Sequence, residues 1–63
     1  ILAAPLIQLA PRLTALVRPG GRLVLSGLLA NQAEEVEASY APHFVLERRL
    51  HDGWALLAGR KRA

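Results

Sequence analysis

Apolar residues recur at Leu2, Leu6, Leu9, Leu13 and Leu16, at spacings of four, three, four and three. That is one stripe of a 3.6-residue period, and Ala10 and Val17 widen it enough to pack on a sheet. The stripe predicts a helix from Ala4 to Val17. Pro5 suits its first turn, where a missing N–H costs nothing, whereas Pro11 removes one interior bond and crowds the Ile7 carbonyl. A helix kinked or restarted at Pro11 is expected. Arg18-Pro19-Gly20-Gly21 then stops and reverses the chain.

From here the period changes. Arg22–Leu29 holds consecutive Leu23, Val24 and Leu25, an unalternating run that predicts a strand covered on both faces. Asn31, with Glu34 three residues on, reads as a capping-box start to a second helix. Its buried stripe would be Ala33, Val36 and Tyr40; Glu34, Glu35 and Glu37 would face water and the first two complement the helix dipole. Ala41-Pro42 closes it. His43–Leu50 alternates, with Phe44, Leu46, Arg48 and Leu50 on one face and Val45, Glu47 and Arg49 on the other. Asp52-Gly53 signals a hairpin, returning as a strand over Trp54–Gly59 before a basic tail. The order helix, strand, helix, strand, hairpin, strand predicts a mixed three-stranded α/β sheet. Its first two strands should run parallel across a right-handed crossover, and the last antiparallel to its predecessor.

Composition changes the picture at one point. Sixty-three residues make one domain at most, and so short a chain buries only about 60% of its unfolded surface. Cysteine is absent, so disulfides cannot reinforce it, and two histidines, His43 and His51, are too few for an ordinary structural metal site. Yet 52% of residues are hydrophobic, more than such a chain can cover by itself. Two readings stand: an alanine- and leucine-rich small protein, or a piece of a larger fold. The apolar start at Ile1 favours the piece. No apolar run is long enough for a membrane span and no signal peptide is evident, so a cytoplasmic protein is expected. The net charge of +3 comes mainly from Arg48, Arg49, Arg60, Lys61 and Arg62, scattered rather than gathered with aromatics into a nucleic-acid face.

Candidate chemistry is sparse. No HExxH, CxxC or GxSxG spacing occurs, and Pro19-Gly20-Gly21 precedes its strand, so it is a turn rather than a phosphate cradle. Ser26 or Ser39, His43 or His51, and Asp52 supply the residue types of a triad without any spacing that argues for one. Ser26-Gly27 is the more interesting pair. It falls near the carboxyl end of the first strand, where open α/β sheets bind ligands, although small residues there also let a helix pack closely.

Four stretches, ILAAPLIQLAPRL, VRPGGRLVLSGLLANQAEEV, YAPHF and GWALLAGRK, span nearly the whole chain in order. They resemble the C-terminal end of the methyltransferase family that modifies large-subunit ribosomal protein L-eleven. The phrases SG(L/I)LA-x-QA and GW-x-x-L-x-GR carry the resemblance more specifically than the PGGRL turn, which would fit most class I methyltransferases. The resemblance implies a Rossmann-like fold whose last strand inserts antiparallel between its two predecessors. Residues 1–63 would be a single partial domain, the C-terminal end of the catalytic domain. It implies S-adenosylmethionine as cofactor, with the binding motif lying upstream of this segment, and a ribosomal protein as substrate, methylated on amino groups.

Ile1-Leu2-Ala3 matches the end of the family's N-(I/L)-L-A loop, so Ile1, Leu2, Ala3 and Ala4 would border the methyl-transfer pocket. Ser26, Gly27 and Leu28 would lie at the ligand-facing edge of the sheet. No residue of the segment is expected to be catalytic or to bind the cofactor by itself. In-line attack by a neutral amine on a sulfonium methyl needs positioning and desolvation more than a strong base. The isolated segment is therefore expected to be inactive, and to self-associate through the Arg22–Leu29 edge, which would pair with another strand in the full fold. The second reading is a free-standing, non-catalytic α/β module that self-associates or binds a partner through the same open edge.

Overall fold

The computed structural model describes residues 3–63. Helix α1 (Ala3–Leu16) leads into strand β1 (Arg22–Leu29). A 3₁₀ turn at Ala30–Gln32 and helix α2 (Ala33–Tyr40) follow, and then β2 (Phe44–His51) and β3 (Trp54–Lys61). The predicted elements are all present, in the predicted order.

The sheet order is β1-β3-β2. Both ladders are antiparallel: β1 on β3, with Arg22 opposite Arg60, and β2 on β3, with Phe44 opposite Lys61 and His51 opposite Trp54. Strands β1 and β2 thus run in the same direction, as the intervening helix requires, but the returning strand lies between them and they do not pair. Asp52 (φ 48°) and Gly53 (φ 81°) both take positive φ, as the two-residue hairpin turn demands.

A single core joins Ala3, Leu6 and Ala10 of α1 with Ala33, Val36 and Tyr40 of α2. Leu23, Leu25, Leu28, Phe44, Ala55 and Leu57 supply the sheet side. Both helices therefore cover the same face. The opposite face, with Val24 and Val45 each 60% exposed, is bare among the described residues. The apolar run of β1 is present, and among the described residues no element reaches its second face.

Local detail departs from the pattern for identifiable reasons. Helix α1 does not restart at Pro11 but is continuous through it. Its buried stripe is Ala3-Leu6-Ala10, with Ile7, Leu13 and Val17 half-packed beside it, whereas Leu9 and Leu16 (81% exposed) lie outside the core. The buried stripe is thus rotated from the expected leucine line toward Ala3 and Ala10. Asn31 does not cap α2. The 3₁₀ turn takes that place, and the Gln32 side chain reaches back to accept a hydrogen bond from the Leu29 N–H (3.3 Å).

The expected basic tail is structured. Strand β3 continues through Arg60 and Lys61, and Lys61 Nζ donates to the carbonyls of Thr14 (2.7 Å) and Val17 (2.8 Å). A cation on the last carbonyls of a helix satisfies orphan acceptors and complements the dipole. Arg62 donates from its backbone to the His43 carbonyl and from its side chain to that of Ala41.

Candidate functional site

Lys61 fixes the end of α1 at the end of the sheet where β1 begins, because Arg60 pairs with Arg22. The first turn of α1 therefore points toward the end where β1 and β2 finish. Open α/β sheets place their ligands at such carboxyl ends.

At that end the register of β1 on β3 slips. Leu25 pairs with Leu57 and Leu28 with Ala55, so Ser26 and Gly27 together face the single residue Leu56. Two residues opposite one is a β-bulge, and Gly27 at φ 78° supplies the left-handed backbone it uses. The bulge shifts side-chain parity. Leu25 and Leu28, three apart, both enter the core, while Ser26 and Gly27 are exposed. The small pair is thus a bulge rather than a bed for a close-packed helix. A glycine inside a strand pattern was the available signal.

The exit from β1 is tethered. The Ala30 N–H donates to the Gly53 carbonyl across the hairpin turn (2.7 Å), and the Gln32 side chain holds the Leu29 N–H. The bulge, the 3₁₀ turn and the hairpin tip thus form one connected rim at the carboxyl end.

Of the sequence-derived pocket residues, Ala3 is buried and Ala4 exposed on the first turn of α1, Ser26 and Gly27 are exposed at the bulge, and Leu28 is fully buried. Leu28 supports the rim from below. Ile1 and Leu2 lie outside the described residues. Of the types that might have made a triad, Ser39 and His43 lie away from the His51–Asp52 pair. Ser39 Oγ donates to the Glu35 carbonyl within α2, and His43 stands before β2. His51 and Asp52 form an exposed pair (3.1 Å) at the opposite end of that strand.

A shallow hollow of about 400 Å³ lies on the bare sheet face, with Val24, Leu56 and Ala58 on its floor and Arg22, Arg49 and Arg60 at its rim. Glu47 pairs with Arg49 there at 2.7 Å. It reaches Leu56, opposite the bulge, and extends from there toward Arg22 and Arg60.

The fold also supplies one deeply placed polar group. Tyr40, fully buried against Phe44 (ring centroids 6.2 Å apart), donates its hydroxyl hydrogen to the Leu6 carbonyl of α1 at 2.7 Å. Burial pushes its phenol pKa upward.

The rim carries no acidic residue besides the exposed Asp52 and no glycine-rich strand-to-helix turn. The described residues do not by themselves form a cradle for a nucleoside cofactor.

A family model described as ribosomal protein L11 methyltransferase matches residues 1–62. A ribosomal protein L11 methyltransferase of Pseudomonas aeruginosa (strain LESB58) is 59% identical over the whole chain, which spans 22% of that protein. Its counterpart in Pseudomonas fluorescens (strain SBW25) is 56% identical over 98% of the chain, again 22% of the relative. Among solved structures, a ribosomal protein L11 methylase from Lactobacillus delbrueckii subsp. bulgaricus superimposes on the whole chain. The TM-score is 0.85 at 26% identity, and the chain covers 34% of that structure. The chain thus spans about a fifth of the length of the curated relatives it matches.

Proposed function

Because the chain belongs to the ribosomal protein L11 methyltransferase family, we propose that it works as the C-terminal segment of a longer, S-adenosylmethionine-dependent protein methyltransferase. The substrate of that enzyme is the large-subunit ribosomal protein L11, methylated on amino groups in the cytoplasm. The observation that carries this reading is the 59% identity over the full chain to a relative of that name.

In this reading the segment supplies structure rather than chemistry. Ser26 and Gly27 at the bulge, and Ala3 and Ala4 at the start of α1, line one side of the transfer pocket, with Leu28 packed beneath; Ile1 and Leu2 belong to this wall by the family's loop pattern alone. The cofactor supplies an electrophilic methyl group when bound, and the residues that hold it lie in the remaining part of the protein. The wall excludes water and limits where an incoming amine can sit, which suits a reaction governed by approach geometry.

The test uses the longer polypeptide that carries this segment. It is incubated with purified ribosomal protein L11 and methyl-labelled S-adenosylmethionine, and the product is mapped by mass spectrometry. Label on amino groups is the expected result. A polypeptide that binds S-adenosylmethionine yet leaves L11 unlabelled would overturn the substrate, and one that does not bind it would overturn the enzyme reading altogether.

A further inference from the structure

Pro11 divides α1 mechanically. It lacks the N–H that would bond the Ile7 carbonyl, so the two halves of the helix are joined by fewer hydrogen bonds than an uninterrupted helix would have. Each half is held from outside by one side chain from far along the chain. On the carboxyl side, Lys61 Nζ takes the Thr14 and Val17 carbonyls. On the amino side, the Tyr40 hydroxyl takes the Leu6 carbonyl, 34 residues away in sequence. Tyr40 is itself fixed: it is fully buried, ends α2, and stacks at a tilt of 57° on Phe44 at the start of β2.

We propose that Tyr40 is a positioning residue, whose hydroxyl pins the amino-terminal half of α1 and so sets where the ligand-facing start of that helix stands. The Tyr40 hydroxyl bonds the Leu6 carbonyl, so it acts through the helix backbone. Lys61 holds the other half and has no such reach, because Pro11 lies between. The connection to methyl transfer rests on the function proposed above, whereas the pinning rests on geometry alone.

Two variants of the longer polypeptide separate these roles, Tyr40→Phe and Lys61→Met, followed by amide exchange and by steady-state kinetics. Tyr40→Phe keeps the ring and its packing and removes one hydrogen bond. Exchange at Ile7 to Ala10 should then rise about fivefold, the worth of one net hydrogen bond, while residues 12–17 change less than about twofold. Lys61→Met should do the reverse. In the kinetic arm, Tyr40→Phe should lower kcat about three- to tenfold, with KM for S-adenosylmethionine within about twofold, since misplacement weakens approach more than binding. Lys61→Met should leave kcat unchanged below its melting temperature. Uniform exchange along α1 in Tyr40→Phe would overturn the pin. Unchanged kcat with the exchange pattern as expected would overturn its role in positioning. Absence of methyl transfer by the unsubstituted protein would refute the enzyme reading instead, and the exchange arm then decides the pin.

Discussion

Gly59→Ala is the substitution whose sign the structure reverses. Glycine in the interior of a strand is ordinarily weaker than alanine by about 0.5–1 kcal/mol, so the exchange should stabilise an average strand. Gly59, however, sits on the middle strand between Leu23 of β1 and Leu46 of β2. A Cβ there would run into the Val45 carbonyl and come within 3.0 Å of the Leu46 Cα. Those atoms are backbone and cannot rotate away, so relief requires β2 to move off β3. Overpacking costs about 1–3 kcal/mol, and losing one or two ladder bonds adds about 1 kcal/mol each. Offset by the entropy gain, the net loss is about 2–4 kcal/mol, or roughly 5–15 °C in melting temperature for a protein of a few hundred residues.

The control is Gly53→Ala. Gly53 has φ 81° with open space around it, so the cost is conformational only, about 1 kcal/mol. Thermal unfolding of both variants in the longer polypeptide, with amide exchange along β2 and β3, makes the comparison. Gly59→Ala should melt lower and loosen the β2–β3 ladder near Leu46. A Gly59→Ala protein as stable as Gly53→Ala would refute the close-approach reasoning.

Leu57→Ala, at a fully buried position on the middle strand, should cost about 2–5 kcal/mol in denaturant unfolding. Arg48→Ala should cost under about 1 kcal/mol, since its ion pair with Glu37 (2.9 Å) is partly solvated, and a double-mutant cycle with Glu37→Gln should give a comparably small coupling. Burial raises the Tyr40 pKa above its ordinary 10.0, so the unfolded state loses that proton first. The stabilisation is complete below pH 10 and lost as pH climbs through the folded-state value. A melting temperature that falls above pH 10, less steeply in Tyr40→Phe, is expected. The isolated 63 residues should transfer no methyl group and should self-associate through the outer edge of β1, which pairs with no other described strand. Sedimentation at increasing concentration checks this, and a monomer throughout would count against it.

The two phrases most telling in the sequence now have physical readings. In Ser26-Gly27-Leu28-Leu29-Ala30-Asn31-Gln32-Ala33, Gly27 makes the bulge, Leu28 and Ala33 are fully buried, and Gln32 holds the end of β1. In Gly53-Trp54-Ala55-Leu56-Leu57-Ala58-Gly59-Arg60, Gly53 turns the hairpin, Leu57 fills the core and Gly59 admits the neighbouring strand. Most of these positions serve the fold, which is why the two phrases carry no spacing of catalytic residues. The candidate site was legible only at Ser26-Gly27, through its place near the end of a strand.

What the sequence determined by itself is local. The 3.6-residue stripe of α1, the apolar run of β1, the Ala33-Val36-Tyr40 face of α2 and the Asp52-Gly53 turn all follow from spacing and backbone preference over a few residues. The tertiary structure alone decided what depends on a distant neighbour. It turned α1 so that Leu9 and Leu16 face outward and left one sheet face bare among the described residues, whereas the place of β3 between β1 and β2 was expected from the family resemblance though not from spacing. It also drew Lys61 and Tyr40 onto the two halves of α1. Periodicity tells a side chain which face of its own element it occupies. It holds no information on which other element will cover that face, because that is settled by packing between residues tens of positions apart.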